Sequence, residues 1–285
     1  MDTRAYQIVE LSAERRGMAA FLELKAGTHR MYGLLEVDVT LPRQHIHAHQ
    51  AQTGEALSFT GYLAWCLAQA VDQDKTIQAY RKGQRQLVLF EDVDVGLMIE
   101  RNIDGKRILR GHVIQHANQK SYRQIHEEIR AVQANQVPPS AEKAGWFRSL
   151  ILLPWPLSRL FLSISRLVLR NNPLLAVSAA GTVGITSVGM FGKGRSGWGI
   201  SSGTHVLDLI AGSIAWKPAV VEGRIEPREI LSLTVLFDHD VVDGAPATRF
   251  VRRLVELIES GSGLEELAMA DDKNRLVKFP CSQSP

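Results

Sequence analysis

Cysteine is scarce in this chain, with only two, Cys66 and Cys281, among 285 residues. Two cysteines so far apart give no disulfide framework, so a reducing compartment such as the cytoplasm is expected. The first residues lack the apolar run of a secretory signal peptide. Basic and acidic side chains nearly balance, 33 against 30, and this balance gives no indication of nucleic-acid binding.

Signals of repeats, phosphate loops and metal sites are also absent. No internal repeat is visible, and the glycines between Gly189 and Gly199 lack the spacing of a phosphate-binding loop. His45, His47 and His49 alternate, but no carboxylate or cysteine lies close enough in sequence to complete a site. We therefore expect no metal. The composition, 45% hydrophobic and 22% charged, is that of a globular protein.

The most informative stretch spans residues 231–260, LSLTVLFDHDVVDGAPATRFVRRLVELIES. Apolar residues alternate with Ser232 and Thr234, which predicts a strand over 231–237. A polar elbow follows. Pro246 then suits the first turn of a helix whose apolar residues recur at helical spacing, and Gly261 is a suitable C-terminal stop. His239 thus follows a core strand and precedes Asp243-Gly244. Such a histidine is either a solvated turn residue or a catalytic imidazole held by rigid elements.

Four blocks in order resemble one known family. They are LSAERRGMAA with EVDVT near the start, GTVGITSVGMFG at 181–192, AGSIAWKPAVVEGRIEPREIL at 211–231 and HDVVDG at 239–244. Together they resemble the acyltransferase catalytic cores of 2-oxo acid dehydrogenase complexes, and chloramphenicol acetyltransferase shares the last motif. The resemblance implies an α/β fold, a two-layer sandwich with a mixed sheet of the chloramphenicol acetyltransferase type.

The resemblance also implies the chemistry of the site. His239 is expected to be the general base that deprotonates a thiol, with Asp243 holding the elbow. Thr186 is expected to donate its hydroxyl to the oxyanion, and Ser187 is the alternative. Coenzyme A is the expected substrate, carried as an acyl thioester, and dihydrolipoamide is a second possible thiol.

Supporting residues follow from the same resemblance. Gly244 completes the motif, and Arg15 or Arg16 is expected to reach the Asp243 carboxylate, with Arg15 favoured. A planar guanidinium suits that role because it binds a carboxylate in a fixed geometry. Asp240 departs from the family, which usually has arginine there, so the local charge differs.

The family is trimeric, with a channel between subunits, so a homotrimer or a larger assembly of trimers is expected. Neither a lipoyl domain nor a subunit-binding domain is visible in the sequence. Two alternatives to the free acyltransferase stay open. One is a non-catalytic trimeric scaffold, and the other is the core of a split complex fed by a separate lipoyl carrier protein.

We expect one catalytic domain over residues 1–262 and a polar tail over 263–285. An atypical insertion over 137–173 interrupts the domain. Its part 146–169 is rich in large apolar residues, but arginines and prolines interrupt it, so it is a poor membrane span. It is expected to pack on its own domain, to contact another subunit or to lie on a membrane surface. Beyond it, we expect core strands over 205–214 and 218–222, separated by a turn at Lys217-Pro218.

Overall fold

The computed structural model describes residues 28–103, 106–136, 157–188 and 194–264, with scattered positions between 7 and 22. The strands are β1 Arg30–Asp38, β2 Tyr80–Lys82, β3 Gln86–Val88, β4 Val95–Ile103, β5 Lys106–Ile114, β6 Val183–Ser187, β7 Leu207–Val221 and β8 Arg224–Asp238. The α-helices are α1 Thr40–Thr53, α2 Phe59–Gln73, α3 Tyr122–Gln133, α4 Leu157–Asn171, α5 Pro173–Ala180 and α6 Gly244–Glu259.

Six strands form one mixed sheet in the order β1-β8-β7-β6-β4-β5. β6 runs parallel to both β4 and β7, and the other neighbouring pairs are antiparallel. β2 and β3 form a separate antiparallel pair. The expected α/β fold with a mixed sheet is confirmed.

β8 is buried on both of its faces. The predicted alternation places its odd-numbered residues from Leu231 to Phe237 in the hydrophobic core. The residues between them are buried as well, because the segment 194–206 crosses the opposite face of the sheet. There Thr234 Oγ1 donates to the Gly199 carbonyl at 2.8 Å. Full burial of each large apolar side chain contributes about 1.5–3 kcal/mol, so β8 is a rigid base for the elbow that follows it.

Gly203 lets the crossing segment come this close to the sheet. Its φ is +67°, and a Cβ at this position would lie 2.2 Å from the side chain of Leu236. Glycine adopts this backbone conformation at little cost and adds no atom to the contact. The glycine-rich stretch therefore covers β8.

Helices α2, α3 and α6 pack around the core face of the sheet. The Ser58 hydroxyl caps α2 by accepting a hydrogen bond from the Gly61 N–H at 3.1 Å. The apolar stripes of α3 and α6 are buried, and they comprise Tyr122, Ile125, Ile129 and Val132, and Phe250, Leu254, Leu257 and Ile258. Gly261, with φ of +69°, follows the end of α6 as predicted.

The predicted turn at Lys217-Pro218 is wrong. β7 runs without a break to Val221, and the chain reverses at Glu222-Gly223, where φ is +49° and +80°. Pro218 lies opposite Pro227 of β8, at an end of the hairpin that β1 and β6 do not reach. Proline is tolerated here because its missing N–H removes no bond to a further strand.

The insertion is described only from Leu157, as α4 and the start of α5, and residues 137–156 lie outside the described residues. The expected tail is described only at Gly263 and Leu264. Among the described residues, every helix is too short or too polar to cross a membrane.

Candidate active site

His239 lies in a tight elbow between β8 and α6. The N–H groups of Val241 and Val242 both donate to the carbonyl of Asp238 at 3.0 Å. The His239 N–H donates to the carbonyl of His29, 2.8 Å away, in the segment before β1. Val242 is buried in the core. The imidazole is therefore carried on a backbone that is anchored from both sides.

The side chains of His239 and Asp243 lie on the outside of this elbow. His239 Nδ1 is 4.0 Å from Asp243 Oδ1, which is longer than a hydrogen bond, and the two side chains are 48% and 88% exposed. Asp243 precedes α6 in an extended conformation and its carboxylate caps no helix N–H. The carboxylate does lie at the positive end of the α6 dipole, and Gly244 is the first residue of that helix. In one protomer both side chains are accessible to a substrate.

Asp240 ties the elbow to two distant parts of the chain. Its Oδ1 lies 2.7 Å from His29 Nδ1, and its Oδ2 accepts a hydrogen bond from Arg81 Nη1 in β2 at 3.1 Å. The hydrogen bond with Asp240 raises the pKa of His29, and the same bond lowers the pKa of Asp240. His29 thus contacts the elbow through its carbonyl and through its ring.

Sequence reasoning missed this brace. Asp240 stood out as a departure from the family pattern, but its partners His29 and Arg81 are 211 and 159 positions away in the chain. A contact between such distant residues leaves no local pattern that a single sequence displays.

The predicted arginine brace is not formed within one protomer. Arg15 and Arg16 have helical backbone and are exposed, and the Arg15 N–H bonds to Ser12 Oγ at 3.3 Å. Among the described residues, neither guanidinium forms an ion pair with Asp243, which lies nearest to His239. Asp240 carries the ion pairs that hold the elbow.

Thr186 and Ser187 lie at the end of β6, half-buried and exposed respectively. Thr186 is in register with Ile210 of β7, which is in register with Thr234 of β8. His239 lies two strands away and five residues further along, a displacement of about 10 Å across the sheet and about 16 Å along it. The hydroxyl and the imidazole are therefore roughly 19 Å apart within one chain, too far to act on one atom.

A buried pair that the sequence did not reveal lies at the start of β7. His205 Nδ1 is 2.7 Å from Asp208 Oδ1, and His205 Nε2 donates to the Ala180 carbonyl at 2.9 Å. Burial alone would raise the pKa of Asp208, but the charge of His205 and hydrogen bonds from His205 and Thr204 lower it to about 2. The pair joins β7 to the end of α5.

The remaining histidines are structural or exposed. His49 contacts Glu55 at 3.1 Å, and His126 is buried and lies 3.2 Å from the same carboxylate. His45 and His47 share α1 with His49, so alternate members of the triplet point in different directions. Within the described part of the chain, no group of three or more His, Cys, Asp or Glu residues is placed to hold a metal ion.

The residues that form the candidate site match a known protein family. The model of the family 2-oxoacid dehydrogenases acyltransferase (catalytic domain) matches residues 3–137 and 174–265. The chain belongs to this family. All of the candidate site residues lie inside the two matched ranges of this acyltransferase family, whereas residues 138–173, nearly the whole of the expected insertion, lie between them.

Individual relatives in the acyltransferase family are distant. The lipoamide acyltransferase component of the branched-chain alpha-keto acid dehydrogenase complex from Pseudomonas putida is 32% identical over 99 residues, 34% of this chain and 23% of that protein. The chain spans about a fifth of the length of the curated relatives it matches.

Solved structures show the same fold. A dihydrolipoamide acetyltransferase from Azotobacter vinelandii, studied for the catalytic role of a serine, a histidine and an asparagine, has a TM-score of 0.65 at 19% identity, covering 92% of this chain and 95% of that one. The cubic core of a pyruvate dehydrogenase multienzyme complex has a TM-score of 0.64 at 19% identity, covering 90% and 94%.

Proposed function

We propose that this protein is a coenzyme A-dependent acyltransferase that moves an acyl group between a thioester and a thiol, with His239 as general base. The observation that carries the proposal is the accessible His239 imidazole on an anchored elbow at the end of β8, in a chain of the acyltransferase family. The acceptor or donor thiol is that of coenzyme A or dihydrolipoamide.

The reaction needs a base because a free thiol has a pKa of about 8.5 and is a modest nucleophile near neutral pH. The imidazole of His239 removes the thiol proton as the sulfur attacks the thioester carbonyl. The C–S bond to the donor then breaks, and the departing thiolate takes the proton back from the imidazolium. Both thiols meet at one site, so no covalent acyl-enzyme is required. Asp243 takes no part in the proton transfer.

The tetrahedral intermediate carries an oxyanion that requires a hydrogen-bond donor. Thr186 supplies its hydroxyl in this proposal, with Ser187 as the alternative. Because Thr186 and His239 of one chain are roughly 19 Å apart along the sheet register, the hydroxyl comes from a second copy of the chain. A site shared between subunits makes the oligomer obligatory for activity.

Assembly as a homotrimer or a larger cage of trimers completes this proposal. The solved relative described as a cubic core is consistent with a multi-subunit assembly. A separate lipoylated carrier protein is one candidate source of the acyl group. The buried thiol of Cys66 suits a reducing cytoplasm.

The spacing of the Azotobacter site supports the assignment of Asp243. In that acetyltransferase the asparagine under study follows the histidine by four residues, as Asp243 follows His239 here. Asparagine and aspartate have the same shape, and asparagine does not ionise. A positioning role for Asp243, rather than a proton-transfer role, is in keeping with this difference.

An acyl-exchange assay tests the proposal, with a panel of acyl-CoA donors and either dihydrolipoamide or a lipoylated carrier as acceptor. His239→Ala should lower turnover about 10²–10⁴-fold, because general-base help is lost. Thr186→Val should lower it about 10²–10³-fold, because the oxyanion loses a donor. His47→Ala, an exposed histidine of α1, and Ser187→Ala are the controls and should change little.

Turnover that is absent across the panel, or that is unchanged in His239→Ala, contradicts the enzymatic assignment. A strong loss in Ser187→Ala with none in Thr186→Val moves the donor role to Ser187. Turnover with the lipoylated carrier but not with free dihydrolipoamide identifies the core of a split complex.

A further inference from the structure

Helix α4 exposes its apolar residues and buries a polar one. Ser165 is buried, whereas the exposed large apolar side chains of the helix are Leu157, Leu160, Ile164, Leu167 and Val168. An amphipathic helix of a globular protein normally turns its apolar stripe towards the core. Here that stripe faces outward, and α4 rests on α5 and β2 through its other side. We call the exposed residues of α4, with Leu174 and Leu175 of α5, the leucine face.

Most of the leucine face has no counterpart in the family domain. α4 lies wholly within residues 138–173, the stretch that the family model leaves unmatched. Five of the seven residues of the leucine face therefore lie outside the ranges that match the family. Six exposed leucines and isoleucines lie within nineteen residues, whereas exposed large apolar side chains of soluble proteins are normally scattered singly.

The charged residues in the sequence of α4 and α5 are of one sign. Residues 157–180, which contain α4 and α5, include Arg159, Arg166 and Arg170 and no aspartate or glutamate. In the whole sequence no acidic residue occurs between Glu142 and Asp208. Arginine beside an apolar helical stripe is the composition of helices that lie in the headgroup region of anionic membranes. An acidic partner is thus favoured over a neutral one.

The length of α4 determines whether it can span a bilayer. The fifteen residues of α4 extend about 22 Å, which is shorter than the hydrocarbon core of about 30 Å. We propose that the leucine face docks on the surface of an anionic lipid bilayer, with α4 lying in the plane of the interface. This inference goes beyond acyl transfer and does not depend on it, because no residue of the candidate active site belongs to the face.

Vesicle co-sedimentation of the full-length protein tests the proposal. The probes are vesicles of pure phosphatidylcholine and vesicles of phosphatidylcholine with phosphatidylglycerol. Wild type should sediment with the anionic vesicles and not with the neutral ones. Ile164→Asp should lower that binding by at least about tenfold, because it removes an apolar contact and adds a charge that anionic lipid repels. Acyl transfer in solution should be unchanged.

The matched control is Leu109→Asp on edge strand β5. Leu109 is 59% exposed and Ile164 is 53% exposed, so each change places an aspartate at a similarly accessible apolar position. Leu109→Asp should bind anionic vesicles as the wild type does. Circular dichroism and acyl transfer show whether both variants are folded.

Three outcomes overturn the proposal. If the wild type sediments with neither kind of vesicle, lipid is excluded as the partner. If Ile164→Asp binds anionic vesicles as well as the wild type does, the leucine face is excluded as the binding surface. Ile164→Asp that lowers the oligomer mass in lipid-free light scattering, with no vesicle binding by the wild type, shows that a second copy of this chain covers the face instead.

Discussion

His239 owes its position to backbone contacts and to the side chain beside it in the chain. The hydrogen bond from its N–H to His29 and the ion pairs of Asp240 act on the same few residues. These contacts leave the imidazole without a short side-chain bond, since Asp243 is 4.0 Å away. The backbone of His239 is thus held in place while its ring stays available to a substrate proton.

The His29–Asp240 pair predicts a pH-dependent contribution to stability. The contact raises the pKa of His29 above its ordinary 6.5 and lowers that of Asp240 below its ordinary 3.8. The pair is therefore fully formed from about pH 4 to about pH 6.5 and is lost as the pH rises through the raised pKa of His29. Asp240→Asn should lower Tm more at about pH 5.5 than at about pH 9, where only Arg81 still pairs with Asp240.

Thermal melts of both proteins at the two pH values check this expectation. Asp243→Asn is the control, because its side chain is 88% exposed and accepts no short hydrogen bond from His239. Asp243→Asn should give the same small change in Tm at both pH values. A decrease in the Tm of Asp240→Asn that is equal at both pH values would contradict the role of His29.

At the scale of elements, the sequence predicted those whose pattern is local. The alternation before His239 predicted β8, and the helical spacing of apolar residues predicted α6. β7 was wrongly divided because Pro218 is a usual mark of a turn, whereas here it lies opposite Pro227 beyond the reach of β1 and β6. Whether a proline ends a strand depends on the neighbouring strands, which the sequence does not show.

The buried pair of His205 and Asp208 predicts a cost for removing one partner. Asp208 accepts hydrogen bonds from the N–H groups of Thr204 and His205 as well as facing the His205 ring. Asp208→Asn should lower the free energy of unfolding by about 1.5–3 kcal/mol, because these buried nitrogen atoms lose a carboxylate acceptor. Urea denaturation at neutral pH measures the change.

The same measurement on Asp243→Asn provides the comparison, since an exposed carboxylate should change the free energy of unfolding by about 0.5 kcal/mol or less. Equal effects of the two substitutions would show that the His205–Asp208 pair does not join β7 to α5. In the wild type, the stabilisation from Asp208 should be lost only as the pH falls below 3.8 towards 2.

At the scale of the whole molecule, the motifs identified the family and the residues but not their arrangement. Thr186 and His239 were predicted to serve one reaction, and the strand register separates them within a chain. Sequence motifs carry no distance between blocks, so this separation could be found only from the sheet order. The leucine face was visible as an unusual composition, but only the structure shows that it points outward.

A shared site makes a quantitative prediction for mixed oligomers. In a ring of identical subunits, each site takes His239 from one copy and Thr186 from its neighbour through a heterologous interface. When His239→Ala and Thr186→Val chains assemble at random in equal amounts, half of the copies supply an intact histidine and half an intact threonine. About a quarter of the sites then hold both groups.

The most direct test is therefore to co-express the two inactive variants with different tags, purify oligomers that carry both tags and measure acyl transfer. The account predicts about a third of wild-type turnover for trimers that carry both tags, because each such ring has one intact site in three, and about a quarter for larger assemblies, from parents that each show less than a hundredth of it. Mixed oligomers that are confirmed by native mass spectrometry and yet are no more active than their parents would contradict a site built around His239 and completed by a second copy.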